Sequence, residues 1–580
     1  MNQKLENILN VSLDATEDEL RKADSLSTGY NWRDNTWEII VKYSGSLESI
    51  RNRYNVYIKE LLNYYAIIVA DKATIELISQ EDVIDYVEKP KSLYYQIERT
   101  KTAACVGSVR ADGNILSGKG VIVGVIDTGI DIFDNAFRNS DGTTRILNIY
   151  DQTTGEKYDK QSIDEYIRLN EDLSGGTFSY DNAPGVDNIM HGTDVSYIAA
   201  GSLGVAYEAD IIAVKMGYSI NNQFPRTTSL MDAIDYIIRK AIEYRKPVAV
   251  NISYGCNYGA HNGNTLLESF IDDISKSYRC VICVGSGNEA DKAIHFGGII
   301  NTGQVQTAYL SVGEYQSAID IQIWKNYWDT IDVMLINPRG EQIGIITEGR
   351  INRYETYNTE IITLLGEPSP YNIYQEIYIN LIPKTDYILS GIWQIVLMAG
   401  SIRAGEYNIW LPSSQALGYA TAFNNPTADG TITIPATARN CIAVGAYNAY
   451  TNSYAAFSGR GFDNSIRNVN AGVKPDITAP GVDISIARQR GNDITYRNVT
   501  GTSYAVPVVT GAAALLMQWG IVMGNDRFMY GEKLKAALID GSKPVGLVGI
   551  TRNDNQPDPR SKAGERCVLR IRLIKFYKSS

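Results

Sequence analysis

Four stretches of this chain are apolar almost without interruption, and each ends in a glycine or polar turn: VIVGVIDTG (121–129), DIIAVKMG (210–217), VAVNISYG (248–255) and CVICVGSGN (280–288). A strand that is apolar on both faces must be covered on both faces. Helical patterns lie between the stretches, for example SLMDAIDYIIRKAIEYRK (229–246). The alternation predicts an α/β fold, a parallel sheet with helices on both sides. In such sheets functional residues gather beyond the carboxyl ends of the strands. That rule singles out Asp127, Ser253 and Asn288.

Two regions depart from this pattern. Residues 1–96 form an α+β unit, with strands expected at WEIIVKY (37–43), YYAIIVA (64–70) and VIDYVEKP ending at Pro90. Helical patterns follow the first two, SLESIRNRY and DKATIELISQEDV, and the polar stretch from Lys91 to Ala104 reads as a linker. Residues 298–418 carry short alternating segments separated by turn signals, as in an all-β sandwich or jelly roll. Trp324, Trp328, Trp393 and Trp410, four of the seven tryptophans, fall there and suggest a separate core. The α/β pattern resumes at 419 with TITIPA, CIAVGAY and a helix near Ser503. The jelly roll is therefore an insertion that divides one α/β domain into 97–297 and 419–580.

With 580 residues the chain has room for several domains. Its formal charge of −11 and lack of a long basic run argue against nucleic-acid binding. No run approaches 18 apolar residues, so no membrane span is expected. The first twenty residues have no continuous apolar core, so no secretory signal is expected and synthesis in the cytoplasm is. Six cysteines are too sparse for a disulfide scaffold. Cys280 and Cys283 lie three apart on a strand, so they face opposite sides and suit burial better than zinc.

Four residues stand where chemistry is expected, and each has an ordinary structural reading. Asp127 ends a strand and is followed by Thr128-Gly129; such residues are usually turn aspartates. His191, one of three histidines, opens HGTDVSYIAAGS, whose small residues suit a helix packed tightly on a sheet. Histidine is the natural general base near neutral pH. Ser503 opens an apolar helix after Gly501-Thr502, where unpaired N–H groups favour developing negative charge. A plain N-cap serine looks the same. Pro507 is expected in the first turn, where its missing N–H costs nothing. Asn288, in GSGNEA, is either a turn asparagine or an amide donor to an oxyanion.

Taken together, DTGID, HGTDVSYIAAG, GSGNEA and GTSYAVPVVTGAA, in that order, resemble the motifs of the subtilisin-like serine proteases. GVAYEADIIAVKM, NISYG and VKPDITAPG (473–481) extend the resemblance over about 105–297 and 419–545. It implies Asp127, His191 and Ser503 as catalytic triad and Asn288 as oxyanion donor. It also implies an extended substrate along Ser253, Tyr254 and Gly255 and along Met216, Gly217 and Tyr218. By the same resemblance, residues 1–96 are a prodomain that assists folding and leaves its tail in the active site, with self-cleavage around Tyr95, Gln96 and Ile97.

The prodomain, the β insertion and the missing signal are similar to the Csp germination proteases of clostridial spores. That resemblance implies a protease of the bacterial spore that activates the precursor of a cortex-lytic enzyme. It also raises pseudoprotease relatives as partners, and a pseudoprotease or a general intracellular subtilase as alternative readings. Tyr504 and Val508 replace the family's usual methionine and histidine, which bears on packing near the nucleophile. No cofactor is implied, and the structural calcium common among subtilases has no placeable site. The segment from Gly113 to Gly120 nearly spells a phosphate-binding loop, but it precedes a strand and has Gly120 where a hydroxyl belongs. The last 30 residues carry eight Lys/Arg against three Asp/Glu and read as a solvated end.

Overall fold

A computed structural model describes residues 2–96, 116–171, 183–217, 224–346, 349–462, 473–490 and 493–542. The linker beyond Gln96, Cys105, Cys567, Tyr218 and the basic end all lie outside these residues, as does the first part of the Gly113–Gly120 segment.

The four apolar stretches become neighbouring strands at the centre of a nine-stranded sheet. Across it run Ser453–Tyr454, Ile442–Asn448, Cys280–Gly285, Val248–Ile252, Ile122–Asp127, Asp210–Lys215, Ile146–Asp151 and Glu156–Asp159, with Ile477–Pro480 beside Ile442–Asn448. All pairings are parallel except the two short outermost ones. Alternate residues feed two cores. Val123, Val125 and Cys283 pack against the helices His191–Ala200 and Thr502–Met517. Ile122, Ile126 and Cys280 pack against Thr227–Tyr244 and Leu266–Ser277. The period of two thus explains both the continuous apolar sequence and the opposed burial of the two cysteines.

The helix from Thr502 to Val522 is the one described helix apolar and long enough to cross a bilayer, yet 78% of that window is buried inside the protein. Its hydrophobicity all round suits its position in the core.

The N-terminal unit is a five-stranded antiparallel sheet with flanking helices. The expected strands appear as Thr36–Tyr43, Tyr65–Ala70 and Ile84–Glu88, and the expected helices as Glu48–Tyr54 and Lys72–Ile78. Tyr57–Leu61 was not foreseen as a strand, because its alternation is broken by Lys59 and Glu60. The sheet is sandwiched in its turn. Ile40 and Ile67 pack on the helices of the α/β body, whereas Ile39, Val41 and Ile68 share a core with Leu9, Leu26, Ile362, Leu364 and Tyr378.

Those last three residues belong to the inserted β unit. It is a two-sheet antiparallel sandwich of six and five strands around Trp393, Trp410 and a set of isoleucines and leucines. Its strands extend from His295 to Phe423.

Candidate active site

Asp127 is the last residue of its strand, and its carboxylate accepts the Thr128 N–H at 2.7 Å. His191 is the first residue of its helix and places Nδ1 2.6 Å from Asp127 Oδ1. The two loops are stapled by Asp187, which is fully buried. It accepts from the Thr128 hydroxyl at 2.7 Å, Met190 N–H at 2.7 Å, Thr193 N–H at 2.8 Å and the Thr193 hydroxyl at 2.8 Å. Thr128 in turn accepts the Gly192 N–H at 2.8 Å. Glycine is required at 192, because a Cβ there would lie 2.3 Å from the Gly129 carbonyl.

Ser503 is the second residue of the helix Thr502–Met517. Pro507 is not in the first turn, contrary to the expectation above; the helix starts one residue earlier and Pro507 falls inside it. A residue with an N–H at 507 would donate to the Ser503 carbonyl. That carbonyl instead receives the Ser253 hydroxyl at 3.4 Å. The proline therefore frees the backbone oxygen of the serine for a contact from the neighbouring strand.

The cleft is filled by the chain's own segment Lys91–Gln96. Tyr94–Tyr95 pairs antiparallel with Tyr254–Gly255, and Gln96 N–H donates to the Ser253 carbonyl at 3.3 Å. The opposite edge is met at 225–227: Leu93 N–H donates to Pro225 at 2.7 Å, and Thr227 N–H donates to Lys91 at 2.9 Å. Gly217 N–H turns to Gln152 Oε1, to which it donates at 3.1 Å. Met216 is buried, with its N–H on the Asp127 carbonyl. Ile97 and Tyr218 lie outside the described residues.

Gln96 brings its carbonyl to the serine. Ser503 Oγ donates to that oxygen at 2.7 Å and Ser503 N–H at 3.4 Å. Asn288 stands beside it, its Oδ1 accepting Thr502 N–H at 3.1 Å and the Thr502 hydroxyl at 3.0 Å. This fixes the amide with Nδ2 turned away from Thr502. Asn288 Nδ2, His191 Nε2 and Asp127 Oδ2 are all buried without a hydrogen-bond partner among the described residues. Buried polar atoms are rarely left so. His191 is flanked edge-on by Tyr504 and Tyr95, with ring centroids 5.3 and 5.9 Å away.

The side chain of Gln96 is held as specifically as its backbone. Its Nε2 donates to the Gly285 carbonyl at 3.1 Å and to Thr433 Oγ1 at 3.0 Å, and its Oε1 lies 3.3 Å from Thr502 Oγ1. Gly255 and Gly285 leave the room: a Cβ on them would stand 2.7 and 2.0 Å from the Gln96 amide. Thr433, Gly285 and Gln415, which touches the Tyr95 carbonyl, were not singled out in the sequence. The glycines beside Asn288 were the available signal for a pocket; a threonine in an apolar stretch and a glutamine in a short turn give none.

A parallel sheet whose strand ends and helix N-termini gather an aspartate, a histidine and a serine around an extended peptide defines a subtilase. The subtilase family model matches residues 118–368 and 404–562, and the chain belongs to that family of serine peptidases. Residues 3–91 match the model of the Csp protease B prodomain. The chain is similar to the CspB protease of Clostridium perfringens, with 34% identity, a TM-score of 0.70, and coverage of 77% of this chain and 92% of that one. A subtilase-type proteinase of Saccharomyces cerevisiae, RRT12, is 33% identical over 128 residues, 22% of this chain and 23% of its own. Subtilisin-like protease 2 of Pseudogymnoascus destructans is 36% identical over 140 residues, 24% of this chain and 29% of its own. The chain thus matches about a quarter of the length of these curated relatives.

Proposed function

We propose that the chain is a serine endopeptidase that cleaves itself after Gln96, keeps the new tail in its cleft, and then cuts a protein substrate after glutamine. The observation that carries this is the Gln96 carbonyl held 2.7 Å from Ser503 Oγ, with its side-chain amide bonded into a pocket.

In this reading the Ser503 hydroxyl turns to His191 Nε2, which takes its proton as Oγ attacks the Gln96 carbonyl carbon. Asp127, on Nδ1, holds the imidazole tautomer and stabilises its cation. The oxygen that becomes negative is met by Ser503 N–H and by the free Asn288 Nδ2. His191 then returns the proton to the leaving amine of residue 97, and water releases the acyl group by the same steps reversed.

The Csp-type prodomain and the likeness to the Clostridium perfringens CspB protease support a role in spore germination; the substrate proposed with it is the precursor of a spore cortex-lytic enzyme. The spore is the compartment this implies. Expression should yield two fragments, the larger beginning at Ile97, whereas Ser503→Ala should yield one uncut chain. N-terminal sequencing decides it; an uncut wild-type chain rejects self-processing. Incubating the processed enzyme with a purified cortex-lytic precursor tests the substrate. No cut after a glutamine rejects that substrate and leaves the peptidase standing.

A further inference from the structure

Within the β insertion, the strand Glu406–Trp410 is followed by the short turn Ser414–Ala416. That turn reaches the cleft. Within one trans peptide group the C=O and the N–H point to opposite edges of an extended chain. Gln96 N–H faces Ser253, so the Tyr95 carbonyl faces the other edge, in line with the polar groups of Lys91 and Leu93 that bond to 225–227. Gln415 Nε2 donates to the Tyr95 carbonyl. The turn is itself fastened to the oxyanion side of the site. Ser414 N–H and hydroxyl donate to Glu289 at 3.1 and 3.2 Å, and Glu289 is the buried residue next to Asn288.

We propose that Gln415, delivered by the β insertion, is a substrate-binding residue. It grips the backbone carbonyl of the residue preceding the scissile glutamine, whatever its side chain. An extended peptide, tail or substrate, is therefore held by the α/β body on one edge and partly by the insertion on the other. Because the contact is to backbone, it adds affinity without narrowing sequence choice, while the pocket around the glutamine side chain selects. The proposal rests on the serine-peptidase reading above.

The test uses the full chain and a fluorophosphonate probe of Ser503, which competes with the tail for the cleft. Gln415→Met keeps length but lacks the donor; Gln415→Lys restores one. Losing one hydrogen bond to the tail should speed labelling about three- to tenfold in Gln415→Met, with Gln415→Lys close to wild type and melting temperatures alike. Wild-type labelling rates in Gln415→Met overturn the proposal. So do equally raised rates in both variants, which would mean a structural effect instead of a donor. Failure of all three chains to label overturns the serine-peptidase reading and this proposal with it.

Discussion

At Gln96 the chain shows what its cleft accepts. The amide nitrogen has two acceptors, Gly285 O and Thr433 Oγ1, so a carboxylate there would face oxygen instead of donating to it. Gln96→Glu should slow self-cleavage about 10- to 200-fold, the effect of leaving polar groups in a buried site unpaired, as read by the fraction of cut chain over time. Asn288→Leu tests the oxyanion reading: kcat should fall about 10²–10³-fold, as for one donor in subtilisin, with KM little changed. Rates within twofold of wild type would reject that role. The motif residues were legible because chemistry allows few substitutes for them. Thr433, Gly285 and Gln415 were not, because a pocket wall is set by segments far apart in sequence meeting in space. Gln96 was reached from the expected prodomain boundary, but nothing in its neighbourhood revealed that its side chain would be bound.

At the scale of elements, the strands could be read from the sequence because burial on both faces leaves an unbroken apolar run. Helix ends were harder, as Pro507 illustrates: proline was placed by the cost of a lost N–H, and a hydroxyl from another strand offsets that cost. The junction of insertion and body has its own physics. Trp410 stacks on His261 and His295, with centroids 4.2 and 4.9 Å apart. Burial pushes both imidazoles down to about 4. The unfolded chain binds these protons near pH 6.5, so it holds more protons than the folded one between about 4 and 6.5, and stability falls as pH drops through that window. The melting temperature should fall in acid below about pH 6.5. His261→Phe, which keeps the ring and removes the titration, should show a smaller fall; an equal fall would reject the assignment. Gly192→Ala bears on the histidine helix: its Cβ collides with the Gly129 carbonyl, so self-cleavage should be lost while the far-UV spectrum keeps its α/β form.

At the scale of the molecule, the prodomain is a wedge. One face of its sheet packs on the α/β helices and the other core is shared with the insertion, so cutting after Gln96 removes no part of either interface. The cut prodomain should therefore co-elute with the larger fragment in gel filtration. Charge is buried at this three-way junction. Lys91 Nζ lies 2.6 Å from Glu6 and 2.8 Å from Glu88, and Glu376 of the insertion faces Glu6, Lys91 and Asp320. Burial, reinforced by the Glu6 charge, raises Glu376 to about 8. A carboxyl whose folded pKa is raised binds its proton more tightly in the folded state. Its contribution is fully present below the unfolded value near 4.3 and is lost as pH rises toward 8. Glu376→Gln fixes the neutral form and isolates this one group, since the other titrating groups are common to both chains. The wild-type melting temperature should drop relative to Glu376→Gln as pH goes from 5 to 8.5, and the prodomain should wash off the wild-type complex more readily at the alkaline end. A difference between the two chains that stays constant over that range would mean that the junction holds Glu376 ionised, and that pH has no grip on the wedge through this residue.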